Sequence, residues 1–227
     1  MVTNLTKEPQ YQIQVDTYKE KGPVQLGLTT SHLWRTDPRH LGFLIARYKF
    51  CAKMLTNKSH VLEVGCGDGF GLSVVLQNVD SIHAVDFDPL FIENAKELNA
   101  ERSSVTFEVL DLTKQSLKNK YDAVFSLDVI EHISRDEEET FMNNICSAIV
   151  PEGVCIIGTP NIYASQHASV WSQQGHINLK DEKSLRELLT KYFYNVFIFS
   201  MNDEVIHTGF YPMAHYLIGI ACGLKER

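Results

Sequence analysis

The sequence predicts an open, doubly wound α/β fold with helical and loop additions around one rim. Three observations carry that expectation. From residue 60 onward, short β-rich runs alternate with helical ones. The connections between them are short, as in a parallel sheet covered by helices on both faces. Glycines or acidic residues stand where the first three strands end.

The elements follow in order. Residues 1–36 mix polar and aromatic residues without a steady period and read as an irregular lead-in. Asp37-Pro38 has the form of an N-cap followed by proline at the first helical position, and the apolar run Leu41 to Leu55 continues as a helix. His60 to Val64 is a strand ending in Gly65-Cys66-Gly67-Asp68-Gly69, with Phe70 to Leu76 as the helix after it. Ser81 to Val85 is a second strand ending at Asp86, followed by a helix from Pro89 to Leu98 with Leu90, Ile92, Ala95 and Leu98 near one face. Val105 to Leu110 is a third strand ending at Asp111. Tyr121 to Leu127, apolar through its middle, is a fourth, buried on both faces. Ser134 and Glu137 have capping-box spacing before a helix through Ile145, and Gly153 to Gly158 is a fifth strand. After Pro160 a loop from Asn161 to Leu179 leads to a helix at Ser184 to Tyr192. Tyr194 to Ser200 and His215 to Cys222 then pair as a closing hairpin.

Composition limits the function. With 21 basic against 28 acidic residues the chain carries a formal charge of −7, which argues against a protein built to grip nucleic acid. Hydrophobic residues make up 44% of the 227, enough for a real core. The cysteines (51, 66, 146, 155 and 222) are odd in number and form no C-x-x-C pair, which fits reduced thiols in the cytoplasm. Met1 to Glu8 has no apolar signal core, and Tyr216 to Leu224 is about half of the roughly 20 residues a membrane span requires. A cytoplasmic protein without a membrane span is expected.

In open α/β sheets the ligand sits outside the carboxyl ends of the strands. Glycines at 65, 67 and 69 let a ligand approach the first turn, and Asp86 can accept two hydrogen bonds from a ribose diol. Asp111 lies within reach of an adenine amino group, and Phe87 can cover the adenine face. One adenosine-shaped ligand satisfies all of these. The dinucleotide fingerprint G-x-G-x-x-G fails, because Phe70 or Leu72 stands at its last position.

The string Val61-Leu62-Glu63-Val64-Gly65-Cys66-Gly67-Asp68-Gly69 instead resembles the first motif of class I S-adenosylmethionine-dependent methyltransferases. The resemblance continues, in order and at the family's spacings, through Ala84 to Pro89, Val109 to Leu112, Tyr121 to Ser126, Leu127 to Ile133 and Val150 to Gly153, covering about residues 58–160. It implies a Rossmann-like, mostly parallel seven-stranded sheet with an antiparallel last strand, for which His215 to Cys222 is the candidate. It implies S-adenosylmethionine as cofactor and S-adenosylhomocysteine as product. Glu63, Gly65, Cys66, Gly67 and Asp68 are then expected at the methionine part, Asp86 at the ribose, and Phe87, Asp111 and Leu112 at the adenine. Asp128 is expected to face the methionine amino group or the transferring methyl. One methyltransferase domain over residues 1–227 is expected, divided into a helical or lid segment (1–58), a cofactor core (59–160) and a substrate-side remainder (161–227).

The acceptor side is expected in three glycine-containing or non-periodic clusters: Ser31 to Arg35, Gly175 to Asn178 and His207 to Tyr211. From these and the start of the following loop, His32, Trp34, Asn161, His207 and Tyr211 are candidate substrate contacts. A histidine suits removal of the acceptor's proton near neutral pH; His176 is the first candidate base and His132 the second. The pair Glu131-His132 serves either in catalysis or in orienting the following loop. Cys66 fits as a small side chain between glycines, and His40, His60, His83 and His167 as ordinary surface residues. The run Asp136 to Glu139 is a solvated helix start. No carboxylate cluster at metal-ligand spacing stands out, so no metal is expected.

The segment after Asp128 is also similar to quinone-ring O-methyltransferases of ubiquinone biosynthesis. The tail looks like that of bacterial methyltransferases acting on polar precursors of cell-surface glycans or capsules. The expected acceptor is therefore a small polar metabolite methylated on oxygen or nitrogen, with the quinone enzyme as alternative. A nicotinamide-dependent oxidoreductase and a non-catalytic adenosylmethionine-binding subunit are the alternatives from other classes. The missing third fingerprint glycine counts against the first, and the intact glycine motif with several candidate bases against the second.

Overall fold

The computed structural model describes residues 5–226. Residues 1–4, the first half of the stretch read above for a signal segment, and Arg227 lie outside the described residues. The lead-in is helical and not irregular: a 3-10 turn at Pro9–Tyr11 is followed by α1 (Gln12–Lys21) and α2 (Leu28–Thr36). Neither helix could be read from apolar periodicity, because α1 buries no residue and α2 buries only Thr30. Helix α3 (Pro38–Met54) follows, with Asp37 at its N-cap position and proline in its first turn.

The sheet elements are β1 (His60–Val64), β2 (Ser81–Asp86), β3 (Val105–Val109), β4 (Tyr121–Leu127) and β5 (Ile149–Pro160), then β6 (Phe193–Asn202), β7 (Val205–His207) and β8 (Tyr216–Leu224). They lie in the order β3-β2-β1-β4-β5-β8-β6-β7. Strands β1 to β5 pair in parallel, while β8 runs antiparallel to both β5 and β6. The sheet has eight strands, not seven: β7 hairpins onto the far edge of β6, through a turn in which Asp203 takes a left-handed φ of 50°.

Shorter helices fill the connections: α4 (Leu72–Val75), α5 (Pro89–Leu98), α6 (Glu138–Ser147), α7 (Val170–Gly175) and α8 (Glu182–Tyr192). Helix α4 is shorter than expected because the turn through Gly69 and Gly71 takes up its first residues. Before α6, Ser134 Oγ donates to Glu137 Oε2 at 2.7 Å rather than capping the backbone. The expected loop after Pro160 contains a 3-10 turn (Ile162–His167) as well as α7.

Alternation along the strands divides the core between the two faces. Val61, Ile82, Ala84, Ala123 and Phe125 pack with Tyr48 and Cys51 of α3 and with Leu55 just after it. Leu62, Val64, Val85 and Val124 pack with Phe141 and Ile145 of α6 and Leu185 and Leu188 of α8. Helix α3 thereby lies against the face that carries the glycine turn.

That seat is tight. A Cβ built on Gly71 would lie 2.2 Å from the Tyr48 ring, although its φ of −71° is open to any residue. Gly71→Ala is therefore expected to destabilise the fold by about 1–3 kcal/mol through overpacking alone. The check is urea denaturation; an unmoved midpoint would show that α3 does not bear on this turn.

Candidate active site

The site begins with the turn after β1. Gly65 and Gly67 have φ values of 82° and 53°, a conformation in which a side chain is strained. At Gly65 the need is also steric, since a Cβ would come within 2.1 Å of Val129 Cγ2. At Gly67 no atom lies within 4 Å of that position, so its bare backbone faces open space. Asp86, at the end of β2, fixes the turn by accepting from Gly67 N at 2.9 Å and from Asp88 N at 3.0 Å.

A cavity of about 330 Å³ extends from this turn. Gly65, Cys66, Gly67 and Asp68 form one wall, and Asp128, Glu131, His132 and His176 another. The N-terminal segment contributes Thr30, Leu33, His40 and Arg47. It is pinned to the turn where Thr30 donates from N and Oγ1 to Asp68 Oδ2, at 2.8 and 2.9 Å. Gly27 permits that approach, because a Cβ there would lie 2.3 Å from Asp68 Cβ.

Asp128, past the end of β4, takes a left-handed φ of 58°, which costs a non-glycine residue energy and clusters at functional sites. Arg47 of α3 donates to its Oδ2 at 2.7 Å and lies 3.8 Å above the Tyr216 ring of β8. Arg47 is held charged by Asp128 despite its burial. Glu131 is fully buried; Oε2 accepts from Thr159 Oγ1 at 3.0 Å, while Oε1 has no partner. Burial, with Asp128 adding repulsion, pushes its carboxyl up to about 8.

The loop 175–178 closes onto this point. Asn178 N donates to the Glu131 carbonyl at 2.9 Å, and His132 Nδ1 meets the Gly175 carbonyl at 3.0 Å. The rings of His132 and His176 stand 5.0 Å apart, and burial followed by the neighbouring His132 lowers the His176 pKa. Beneath them Lys180 is ion-paired to Glu138 and donates to Asn178 Oδ1 at 2.8 Å, while Asn178 Nδ2 donates to the same Glu138 oxygen at 2.7 Å.

The structure thus brings His132 and His176 together but places the candidate substrate contacts elsewhere. His32 and Trp34 of α2 are exposed and off the cavity wall. Asn161 is buried and spends its amide on the Tyr211 and Ala214 carbonyls. His207 is engaged with Asn202 and Gly209 in the β7 hairpin, and the Tyr211 hydroxyl donates to the Ile198 carbonyl. Two histidines read as surface residues are not: His40 lines the cavity, and His83 is half-buried against Tyr121 and Glu108. His60 and His167 are exposed, as expected.

On the cofactor side, Cys66, Gly67, Asp68 and Asp128 line the cavity, while Glu63 is sealed beneath it. Tyr48 OH donates to Glu63 Oε1 at 2.7 Å and Oε2 is without a partner. Burial pushes the Glu63 carboxyl up to about 8 and raises the Cys66 thiol as well, so nothing activates that sulfur. Phe87 is 71% exposed beyond Asp86. Asp111 accepts from Thr113 and Lys114, which hold its pKa down, and the Leu112 side chain is in the core. The expectation of no metal considered carboxylates alone. It missed that Glu131, His132 and His176 each bring a ligand atom to within 4.8 Å of the others.

Fold and site define an α/β protein with an open, glycine-lined cavity at the carboxyl edge of its sheet. Residues 61–153 match the family model described as "Methyltransferase domain". The ubiquinone biosynthesis O-methyltransferase of Rickettsia bellii is 30% identical over 131 residues, 57% of this chain and 53% of that relative. Phosphoethanolamine N-methyltransferase 1 of Triticum aestivum is 30% identical over 136 residues, 57% of this chain and 27% of its own. This chain spans about half the length of the Rickettsia relative it matches. The N-methyltransferase NodS of Bradyrhizobium japonicum, solved with S-adenosylhomocysteine, superposes with a TM-score of 0.63 at 16% identity, covering 84% of this chain and 91% of its own. The DhpI–SAH complex gives 0.65 at 19%, covering 87% and 92%. Residues 61–153 thus resemble a methyltransferase domain, and most of the chain shares the fold of these two solved proteins.

Glu63 gives a pH dependence that can be measured. A folded-state pKa raised from 4.5 to about 8 means that the native state holds a proton the unfolded chain has released, so this contribution to stability falls as pH rises across that window. Glu63→Gln keeps the shape and removes the titration. Denaturation at about pH 6 and about pH 8 should show a shallower decline in the variant than in the parent. Equal declines would mean that Glu63 does not titrate there.

Proposed function

We propose that this protein transfers the methyl group of S-adenosylmethionine to an oxygen or nitrogen of a small polar acceptor, within one methyltransferase domain spanning residues 1–227. The observation that carries this reading is the single cavity joining the bare glycine turn to the Asp128–Glu131–His132–His176 wall. Methyl transfer requires the donor and acceptor ends in one enclosure from which water is excluded.

S-adenosylmethionine supplies a methyl already activated on a sulfonium. The chain's own residues fit the rest of it. Gly65 and Gly67 offer backbone without side chains, and Asp86 retains lone pairs for the ribose hydroxyls beyond its two backbone bonds. Exposed Phe87 can cover one face of the adenine, with Asp111 beside it. Because the Leu112 side chain is in the core, only its backbone is left for the adenine edge. Glu63 supports the turn from below through α3. Asp128 shares its carboxylate between Arg47 and the methionine amino group. The acceptor lies against His132 and His176, where its proton is removed; His32, Trp34, Asn161, His207 and Tyr211 lie outside this pocket.

The polar wall supports a hydroxylated metabolite such as a glycan precursor. A second reading, a quinone-ring O-methyltransferase, is favoured by Val170, Trp171 and Ile177, exposed by 66, 82 and 60% around Ser172 and His176, where an apolar tail could rest. None of the five cysteines forms a disulfide, in keeping with a cytoplasmic setting, and no helix among the described residues is long and apolar enough to cross a membrane.

Formation of S-adenosylhomocysteine with a panel of polar hydroxyl and amine acceptors tests the activity directly, and its absence with every one of them, in protein that binds the product, would defeat the proposal. Asp86→Ala should weaken S-adenosylhomocysteine binding at least about tenfold by calorimetry, since charge-assisted hydrogen bonds contribute about 1.5–3 kcal/mol each. It should also lower thermal stability, because Gly67 N loses its acceptor.

His176→Ala should behave differently. Turnover is expected to fall by about 10²-fold or more, with product affinity within about twofold of the parent. Parent kinetics in this variant would remove His176 from the acceptor site.

A further inference from the structure

We propose that Glu131, His132 and His176 hold a divalent transition-metal cation whose open coordination positions receive a hydroxyl oxygen of the methyl acceptor. This rests on the methyltransferase reading for the identity of the reaction, but not for the existence of the site. The three side chains each bring a ligand atom to within 4.8 Å of the other two. Ligands about 2.0–2.2 Å from one zinc-like ion are about 3–4 Å apart, a small rotamer adjustment away.

Two of the ligands are also held from behind by hydrogen bonds, and the third by its tethered loop. The Nδ1–H of His132 donates to the Gly175 carbonyl at 3.0 Å, which fixes the tautomer and leaves Nε2 with its lone pair. Thr159 holds Glu131 Oε2, so the carboxylate cannot turn away, while Oε1 is fully buried and has no partner. A cation supplies the partner that this oxygen lacks. His176 is carried on the loop that Asn178 ties to the Glu131 backbone, over the Lys180–Glu138 pair. Lys180 is spent on Glu138, and Arg47 on Asp128, so neither cation neutralises Glu131 directly. The ligands line the cavity. Two imidazoles and one carboxylate with an open side form the donor set of a catalytic centre and not of a closed structural site.

Such a cation lowers the pKa of a bound hydroxyl and fixes its direction. In the transfer the acceptor hydroxyl gives its proton to water. Its oxygen bonds to the methyl carbon as the carbon–sulfur bond breaks, and the electron pair stays on sulfur, which becomes a neutral thioether.

The test is a titration of chelator-treated, metal-free protein with Co²⁺, read by visible absorption and calorimetry. The expected result is one Co²⁺ per chain, with at least about tenfold weaker binding in His132→Ala, His176→Ala and Glu131→Gln. The exposed His167→Ala, off the cavity wall, should bind as the parent does. If Glu131→Gln does not fold, the two histidine variants, whose side chains are less buried, decide the question. Absence of Co²⁺ binding, or equal binding in the His132→Ala/His176→Ala double variant, overturns the proposal. Separate titration with S-adenosylhomocysteine judges the methyltransferase reading, so the two failures are distinguishable.

Discussion

The contact on which the rest of the site depends is the Arg47–Asp128 ion pair beneath the end of β4. Arg47 comes from the N-terminal segment, Asp128 from the central sheet, and Tyr216, on whose ring the guanidinium lies, from the late strand β8. One side chain therefore joins three stretches far apart in the sequence. A pair this buried does not pay for its own desolvation merely by existing. What it provides is position: Asp128 is held in a left-handed conformation that places its carboxylate between the glycine turn and Glu131. Removing the guanidinium would leave two carboxylates facing one another across a low-dielectric cavity.

The glycine turn was legible in the sequence because it is local. The residues from Glu63 to Gly69 act through backbone geometry, and glycine spacing records backbone geometry directly. Asp86 ends β2 and Asp111 stands two residues beyond β3, strands that their own composition reveals; Asp86 holds the turn, while Asp111 accepts from Thr113 and Lys114. The alternation of strands and helices predicts the parallel pairing of β1 to β5, and the resemblance implies the antiparallel β8. It missed β7, which has three residues and only a short pairing with β6.

The acceptor end is tertiary, and the sequence gives fewer clues to it. His132 and His176 were both suspected, but their contact depends on Asn178 reaching the Glu131 carbonyl and on Lys180 reaching Glu138, across about forty residues of chain. Of the three clusters, Gly175 to Asn178 reaches the cavity through His176 and Ser31 to Arg35 through Leu33, while His207 to Tyr211 does not line it. Asn161 and His207 stand in glycine- or proline-containing turns because those turns use their side chains as internal hydrogen-bond partners. Exposed Trp34 and cavity-lining His40 lie six residues apart on successive helices, and nothing in the local pattern distinguishes the wall from the surface. Arg47 is one of three basic residues inside the run Leu41 to Leu55, with Lys49 and Lys53, and is set apart by lying on the buried side of its helix.

Glu63 and Glu131 show how the same physical force leads to different ends. Both are buried, both carry one oxygen without a partner, and both are pushed up to about 8. Glu63 lies under the turn with Tyr48 on its bonded oxygen and does not reach the cavity; its neutral form satisfies it, and its role is to seat α3. Glu131 lines the cavity, accepts from Thr159 at Oε2, and brings a carboxylate oxygen to within 4.8 Å of ligand atoms on two imidazoles. A proton is enough for the first carboxylate because nothing else can reach it. The second borders the cavity beside two imidazoles, so a ligand drawn in by those rings can reach it, where the unpaired oxygen of Glu63 is a cost of packing.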